Sequence, residues 1–186
     1  MILFAAMAFV AVAGFAQPKF AHVNSNELVQ LMPEMDQARE TMEAASKEAQ
    51  DTFQSMYEEY QTKVQQYQQK SSTWTPAIKE SKEKELADIQ QRLEEFNQTI
   101  QQELQMQQNQ LMAPIYQKAQ ETIQSLAKAG GYIYVFDSQA ALYIDDKQST
   151  DLTPAARKAL NIPDGRTLET LQAEMEAKQQ AAAAAQ

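Results

Sequence analysis

The chain has 186 residues and no cysteine, and it carries a formal net charge of −9 with an isoelectric point near 4.7. This acidic balance argues against nucleic acid and anionic membrane surfaces as main partners, because both bind a basic surface. The lack of cysteine excludes a disulfide framework and thiolate metal sites, and the four glycines are not spaced as a phosphate-binding loop.

The first 16 residues are uncharged and consist only of apolar or small side chains. A helix that spans a membrane needs about 20 residues, so this run is short for that purpose. The small residues Gly14 and Ala16 are typical of a signal-peptidase site before Gln17. We therefore expect a cleaved signal peptide over residues 1–16, with an uncleaved anchor as the alternative.

Residues 17–32 are predicted to form a strand and a short helix that belong to a body domain. The segment 19–23 alternates in character as a strand does, and the polar run 24–26 supplies candidates for a helix N-cap. Pro33 then interrupts or kinks the helix. His22 is the single histidine of the chain and has no second ligand nearby, so we interpret it as structural rather than metal-binding.

A long helical hairpin is predicted over residues 33–128. Apolar side chains recur at a mean spacing of about 3.6 residues on both sides of a break at 71–76. The first stripe comprises Met35, Ala38, Met42, Ala45, Ala49, Phe53, Met56, Tyr60, Val64 and Tyr67. The apolar members of the second include Leu86, Ile89, Leu93, Phe96, Ile100, Leu104, Leu111, Ile115, Ala119 and Leu126. Within the break, Thr75 suits an N-cap and Pro76 the first helical position.

The length of this hairpin limits how it can be packed. At 1.5 Å per residue the two arms would span roughly 55 and 78 Å. No single core can surround rods of that length, so the arms must project, pair along their length, or do both. Most residues off the stripes are Gln, Glu and Lys, as on a solvated surface. The exceptions are four large aromatic or apolar side chains, Tyr57, Trp74, Met106 and Tyr116. Such side chains suit adaptable contacts with varied partners, although scattered exposed apolar residues are also common in ordinary proteins.

Residues 129–162 are predicted to complete the body. The segment 132–136 has the composition of a strand, and we expect a second strand over 140–145 that pairs with it as a hairpin. A short helix is expected to start at the Thr-Pro pair 153–154. Three short strands are too few to stand alone, so we expect a partner layer or other subunits. Residues 163–186 form a C-terminal tail with a frayed, alanine-rich end.

The order of these elements resembles one known family. The chain looks like the OmpH/Skp family of periplasmic chaperones in the strand Phe20-Ala21-His22-Val23-Asn24, the long hairpin, the run Gly131-Tyr132-Ile133-Tyr134-Val135-Phe136-Asp137 and the helix start Leu152-Thr153-Pro154. The resemblance covers most of the chain after residue 18, up to residue 162. The best-known members are basic whereas this chain is acidic, so the resemblance does not extend to lipopolysaccharide or anionic-membrane binding.

The resemblance implies an α+β fold, mostly α, in which a long antiparallel helical hairpin extends from a small β-body completed by trimerisation. In that family three hairpins surround a space that holds an unfolded outer-membrane protein. The implied function is an ATP-independent periplasmic holdase, a homotrimer that shelters unfolded outer-membrane β-barrel proteins without a cofactor, metal, nucleic acid or small-molecule substrate. As client-contact candidates we select Tyr57, Trp74, Met106 and Tyr116.

Two other classes of protein are alternatives to a chaperone. An enzyme is disfavoured, because one histidine and no cysteine do not supply a nucleophile, a base and an orienting group. Neighbouring carboxylates such as Glu58 and Glu59 point to different sides of an exposed helix. A structural or scaffolding coiled-coil protein of the cell envelope, with one fixed partner, stays open. Breadth of client binding separates a chaperone from such a scaffold.

Overall fold

Residues 18–184 are described by a computed structural model, and the predicted signal peptide over residues 1–16 lies outside this part of the chain. The first elements are strand β1 (Lys19–Val23) and helices α1 (Ser25–Leu31), α2 (Pro33–Lys70) and α3 (Pro76–Gly130). They are followed by strands β2 (Tyr132–Asp137) and β3 (Ser149–Asp151) and helices α4 (Thr153–Ala159) and α5 (Leu168–Ala184). The fold is α+β and mostly helical, which confirms the predicted fold class.

Helices α2 and α3 form the long antiparallel hairpin and contain 38 and 55 residues. The chain reverses between them through a 3₁₀ turn at Ser71–Thr73. The Thr75 hydroxyl accepts a hydrogen bond from the Ile78 amide at 3.4 Å, and Pro76 lies in the first turn of α3. The predicted break and its cap are therefore confirmed.

The two apolar stripes form the seam between α2 and α3, as predicted. The buried seam residues are Met35, Ala38, Ile89, Ile115 and Ala119. Most other stripe residues are half-buried, because two helices cover each other on one side only. Phe53 differs from the rest: its side chain is 37 % exposed, so its assignment to a buried seam is wrong.

The three strands form one parallel sheet in the order β2-β1-β3. Strand β1 lies in the centre, where Ala21 is paired with Val135 on one side and Thr150 on the other. The predicted strand hairpin is therefore wrong, because β2 and β3 each pair with β1 and not with each other. The N-terminal strand joins the sheet, as predicted, but it does so as the central strand.

The strand predicted over residues 140–145 is also wrong, since β3 begins later in the chain. The Asp145 carbonyl accepts the Gln148 amide at 2.9 Å, which forms a turn at the end of the predicted strand. After β3 the Leu152 amide donates to the His22 carbonyl at 2.9 Å. These bonds place a three-residue strand beside β1 and leave the apolar residues before it outside the sheet.

The core of the body lies where α1 and α4 meet the sheet and the inner ends of the hairpin. Leu28, Leu31 and Met32 are fully buried around the end of α1, and Leu160 is fully buried after α4. The buried cluster comprises Val23, Leu28, Val29, Leu31, Met32, Met35, Ala38, Ile115, Ala119, Ala156, Leu160, Ile162 and Leu171. Helix α4 begins with the Thr-Pro pair at 153–154, as predicted.

Helix α5 extends to Ala184, so the expected fraying of the alanine-rich end is wrong over the part of the tail that the structure describes. Alanine and glutamine are strong helix formers, and they continue the helix that begins at Leu168. The Leu171 side chain is 6 % exposed and joins the body core, which fixes the first turns of α5 to the body.

We predict that Leu28→Ala lowers the free energy of unfolding by about 2–5 kcal/mol, because it leaves a cavity in the body core. Leu168→Ala truncates a side chain that is 36 % exposed, so this matched control should lower it by less than about 1 kcal/mol. Urea unfolding followed by circular dichroism at one fixed protein concentration measures both values. Equal effects of the two variants would contradict this assignment of the core.

Candidate functional site

Large apolar side chains are exposed along the hairpin, and three of the four predicted contact residues are among them. Tyr57, Met106 and Tyr116 are 42, 55 and 56 % exposed. Trp74 is half-buried at the distal turn, where its ring meets the ring of Tyr67 edge-on with the centroids 5.7 Å apart. Three of these side chains are therefore available to another chain, and Trp74 is available only in part.

The structure distributes these residues along the hairpin and does not gather them into one site. An ion pair between Glu59 and Arg92, at 3.7 Å, shows which positions of α2 and α3 lie level with each other. Counted at 1.5 Å per residue from this pair, Met106 lies roughly 20 Å nearer the body than Tyr57, and Tyr116 a further 15 Å. A small ligand cannot contact all of them, whereas an extended or unfolded chain can.

Two further exposed apolar residues of the hairpin were missed by sequence reasoning. Phe53 stacks against Tyr57 with ring centroids 6.4 Å apart, and Ile78, close to the distal turn, is 44 % exposed. Residues four apart share one face of a helix, so the spacing of Phe53 and Tyr57 in the sequence could have identified them as one exposed aromatic pair. It was overlooked because Phe53 also fits the spacing of the seam.

Charged side chains link the two helices near the distal turn. Lys63 of α2 and Lys82 of α3 both donate to the Glu85 carboxylate, Lys82 at 2.8 Å. These hydrogen bonds lower the pKa of Glu85 to about 2, and the bond to Glu85 raises the pKa of Lys63. The Tyr67 hydroxyl donates to Glu83, which raises the pKa of Tyr67. The outer end of the hairpin is thus held by polar as well as apolar contacts.

At the inner end of the hairpin, Tyr116 lines an open groove of about 600 Å³ between α1, α3 and β2. Val29, Ile123 and Val135 contribute apolar walls, and Ser25 lies at a polar edge. A groove of this kind can accept an apolar side chain of another polypeptide. It extends the exposed apolar surface of the hairpin to the body.

A second apolar surface lies on the outer face of the sheet. Phe20 stacks against Tyr134 with ring centroids 6.4 Å apart, and the ring of Tyr134 lies 5.9 Å from that of Phe136. Tyr134 and Phe136 are 60 and 54 % exposed, and Leu142 and Tyr143 in the following loop are exposed as well. We call Phe20, Tyr134 and Phe136 the aromatic sheet face. The alternation of Tyr134 and Phe136 along a strand was its signal in the sequence.

This arrangement has counterparts among known proteins. A family model described as "Outer membrane protein (OmpH-like)" matches residues 19–160, which is most of the chain. The chain belongs to the OmpH-like family. The search of curated proteins found no match.

The fold of this OmpH-like protein has also been seen in a crystal structure. A protein of Caulobacter crescentus CB15, described as an OmpH-like outer membrane chaperone, aligns with a TM-score of 0.68. The alignment covers 83 % of this chain and 90 % of that chain, at 16 % sequence identity. At this identity the likeness shows that the two chains share a fold.

Residues 18–184 contain no group of three or more His, Asp or Glu side chains arranged to hold a metal ion. Over the same residues, no helix combines the length and the apolar character needed to cross a membrane.

His22 lies in the sheet, with Nδ1 at 2.9 Å from the Ser149 hydroxyl and Nε2 at 4.0 Å from Asp151.

We predict that the Glu85 carboxyl titrates with a pKa of about 2 in the folded hairpin, because Lys63 and Lys82 donate to its ionised form. Since this pKa lies below the ordinary value of 4.5, the stabilisation is complete above pH 4.5 and is lost as the pH falls toward 2. Carboxyl-carbon NMR measures the midpoint while circular dichroism confirms that the helices persist.

Two variants make this titration a test of the assigned contacts. In Lys63→Met with Lys82→Met the Glu85 midpoint should rise toward 4.5, the ordinary value. Lys79→Met changes a nearby lysine that makes neither of these bonds and should leave the midpoint in place. A midpoint near 4.5 in the unmodified protein would show that the two lysines do not hold this carboxylate.

Proposed function

We propose that this OmpH-like protein is an ATP-independent holdase chaperone of the periplasm that shelters unfolded outer-membrane β-barrel proteins. The observation that carries the proposal is the set of exposed apolar side chains distributed along a projecting hairpin, among them Tyr57, Met106 and Tyr116. The Caulobacter protein of the same fold is described as an outer membrane chaperone, which supports the same role here. Export through the predicted signal peptide over residues 1–16 is part of this proposal.

The mechanism requires many weak contacts and no reacting group. Individual aromatic or methionine contacts are worth about 0.5–1.5 kcal/mol each, so a client that makes several of them is held but can still leave without nucleotide hydrolysis. The separation of Tyr57, Met106 and Tyr116 along the hairpin means that a client must be extended or unfolded to use them together. We therefore propose that the protein is not an enzyme and that it uses no cofactor.

We further propose that the protein is a homotrimer assembled through the aromatic sheet face. An exposed apolar surface of this kind marks an interaction site, and an isolated three-stranded sheet gains stability from a further layer. In this arrangement residues 17–32 and 129–162 form the body and residues 33–128 form the arm of each subunit. Three arms around one axis would enclose a space that a single hairpin cannot.

We predict that the chain from Gln17 suppresses light scattering when urea-unfolded outer-membrane β-barrels are diluted, near one trimer per client and without nucleotide. The triple variant Tyr57→Ala, Met106→Ala, Tyr116→Ala should retain client at least roughly tenfold more weakly, because each lost contact is worth about 1 kcal/mol. Trp74→Ala is tested separately, since this ring also packs on Tyr67.

The matched control replaces three exposed glutamines of the same helices, Gln61, Gln102 and Gln110, by alanine. It should protect clients as well as the unmodified chain does. Equal protection by the Tyr57, Met106 and Tyr116 variant would refute the contact assignment. Unchanged aggregation of several unrelated barrels with the unmodified protein would refute the holdase and favour a scaffold with one fixed partner.

We predict that Tyr134→Asp with Phe136→Asp converts the trimer to monomer, because it places two carboxylates on the aromatic sheet face. Sedimentation equilibrium measures the mass of the assembly directly. Tyr57→Asp with Met106→Asp introduces the same two charges at exposed positions of the hairpin and should leave the assembly state unchanged. A monomeric unmodified protein, or a trimeric double variant, would contradict assembly through this face.

A further inference from the structure

The hairpin is attached to the body through two short non-helical joints. Helices α1 and α2 are separated by Met32 alone, whose ψ of 140° is extended. Helix α3 ends at Gly130 and is capped by Gly131, whose φ of 69° lies in the left-handed region that favours glycine. A change in a few backbone angles at such joints can swing two rigid elements relative to each other. The angle between hairpin and body therefore depends on the side-chain contacts beside the joints.

The two helices of the hairpin are held by the body to different extents. On α3, Ile115 and Ala119 are buried in the body core, and Ile123 and Leu126 pack against it. On α2, Met35 and Ala38 are the buried residues along the whole described length of the helix. Apolar burial thus fixes α3 over several turns but holds α2 over about one turn.

Polar contacts attach α2 to the body in addition to its short apolar contact. The Asp36 carboxylate accepts hydrogen bonds from Arg166 at 2.6 Å and from Arg39 at 2.9 Å. Arg39 also donates to the Gln30 carbonyl at 2.9 Å, across the joint at Met32. The side chains of Arg166, Arg39 and Asp36 are between 19 and 32 % exposed, so these charge-assisted bonds are partly shielded from water.

Arg166 is itself fixed to the body from two sides. Arg157 of α4 donates to the Arg166 carbonyl and, at 2.7 Å, to Glu27 of α1. Leu171, one turn into α5, is buried in the body core. Arg166, which contacts Asp36, therefore lies in a segment that is attached to the body on both sides.

The segment that supplies this contact follows the part of the chain that defines the family. The match to the OmpH-like family ends at residue 160, and Arg166 and α5 come after it. Helix α5 also lies beside the first turns of α2, since Leu171 and Met175 line one groove together with Asp36 and Arg39.

We propose that residues 163–184 form a clamp that sets the angle at which the hairpin leaves the body, with Arg166 as the positioning residue. From Asp36 to Lys70, α2 spans roughly 50 Å, so a swing of 10° at the clamp displaces the distal turn by about 9 Å. The inference rests on the proposed function in one respect: in a trimer of such arms, this angle sets the width of the space that receives the client.

The chain contains no cysteine, so introduced cysteines can be spin-labelled without further changes. Ser72→Cys at the distal turn and Ala159→Cys on α4 are both exposed. Labelled chains are mixed with an excess of unlabelled chains so that each measured distance lies within one chain. Arg166→Gln should widen the distance distribution by roughly 2 Å or more for a swing of 10°, which is less than the 9 Å displacement of the distal turn because that turn moves largely across the line between the two labels.

Lys147→Gln removes a charge from an exposed loop position outside the clamp and is the matched control, which should leave the distribution unchanged. A loss of thermal stability in Arg166→Gln with an unchanged distribution would show a merely structural role and overturn the proposal. If Arg166→Gln fails to fold, Asp36→Asn removes the same ion pair from the other side, and an unchanged distribution in that variant overturns the proposal equally. The distances are measured without client, so they do not depend on the outcome of the aggregation assay.

Discussion

Two helices that pack against each other can cover only one side of each, and this constraint decides the character of the hairpin surface. Over 38 and 55 residues, α2 and α3 must leave most of their circumference in solvent whatever side chains they carry. Gln, Glu and Lys occupy most of that surface. Where the sequence places Tyr57 or Met106 there instead, the side chain is exposed by geometry. An exposed apolar surface therefore arises from the length of the pair, without a pocket.

The same antiparallel pairing makes the body possible. The Ser25 hydroxyl donates to the Asp137 carboxylate, a residue 112 positions later in the chain, and β1 pairs with β2 over the same interval. Closing a flexible loop of that length would carry a large entropic penalty, although the penalty grows slowly with length. Here the intervening residues form a rigid hairpin that returns the chain to its starting point. Contacts local to the hairpin thus bring together the two halves of the sheet.

The sequence was sufficient for elements whose signal is local. The stripes, the break before Pro76 and the Thr-Pro start of α4 each follow from the residues of one segment, and the structure shows all of them. Its limits appear where distant residues decide the outcome. The segment 140–145 has the composition of a strand but finds no strand beside it in the described part of the chain, because β1 is already paired on both edges. Phe53 fits the seam by spacing, yet its side chain is 37 % exposed.

The contact candidates illustrate the same limit for the proposed binding surface. Sequence identified Tyr57, Met106 and Tyr116 as lying off the seam, and the structure exposes all three. The sequence could not show how far apart these residues lie along the hairpin, because that distance depends on how α2 and α3 are aligned. Nor could spacing alone identify the contact of Arg166 with Asp36, because ion pairs between residues 130 positions apart follow no periodic pattern.

The alignment of α2 and α3 itself is specified by polar residues more than by the apolar seam. A stripe that repeats about every 3.6 residues stays apolar when one helix slides past the other by a turn. Three ion pairs at different heights along the hairpin would be broken by such a slide. They join Glu34 to Lys118, Glu59 to Arg92, and Lys63 to Glu85. Each exposed pair adds only about 0–1 kcal/mol, but a displacement of one turn would break all three together. Register can therefore be fixed near both ends of the hairpin while the middle of the seam stays half-buried. The exposed residues then keep set heights along the arm.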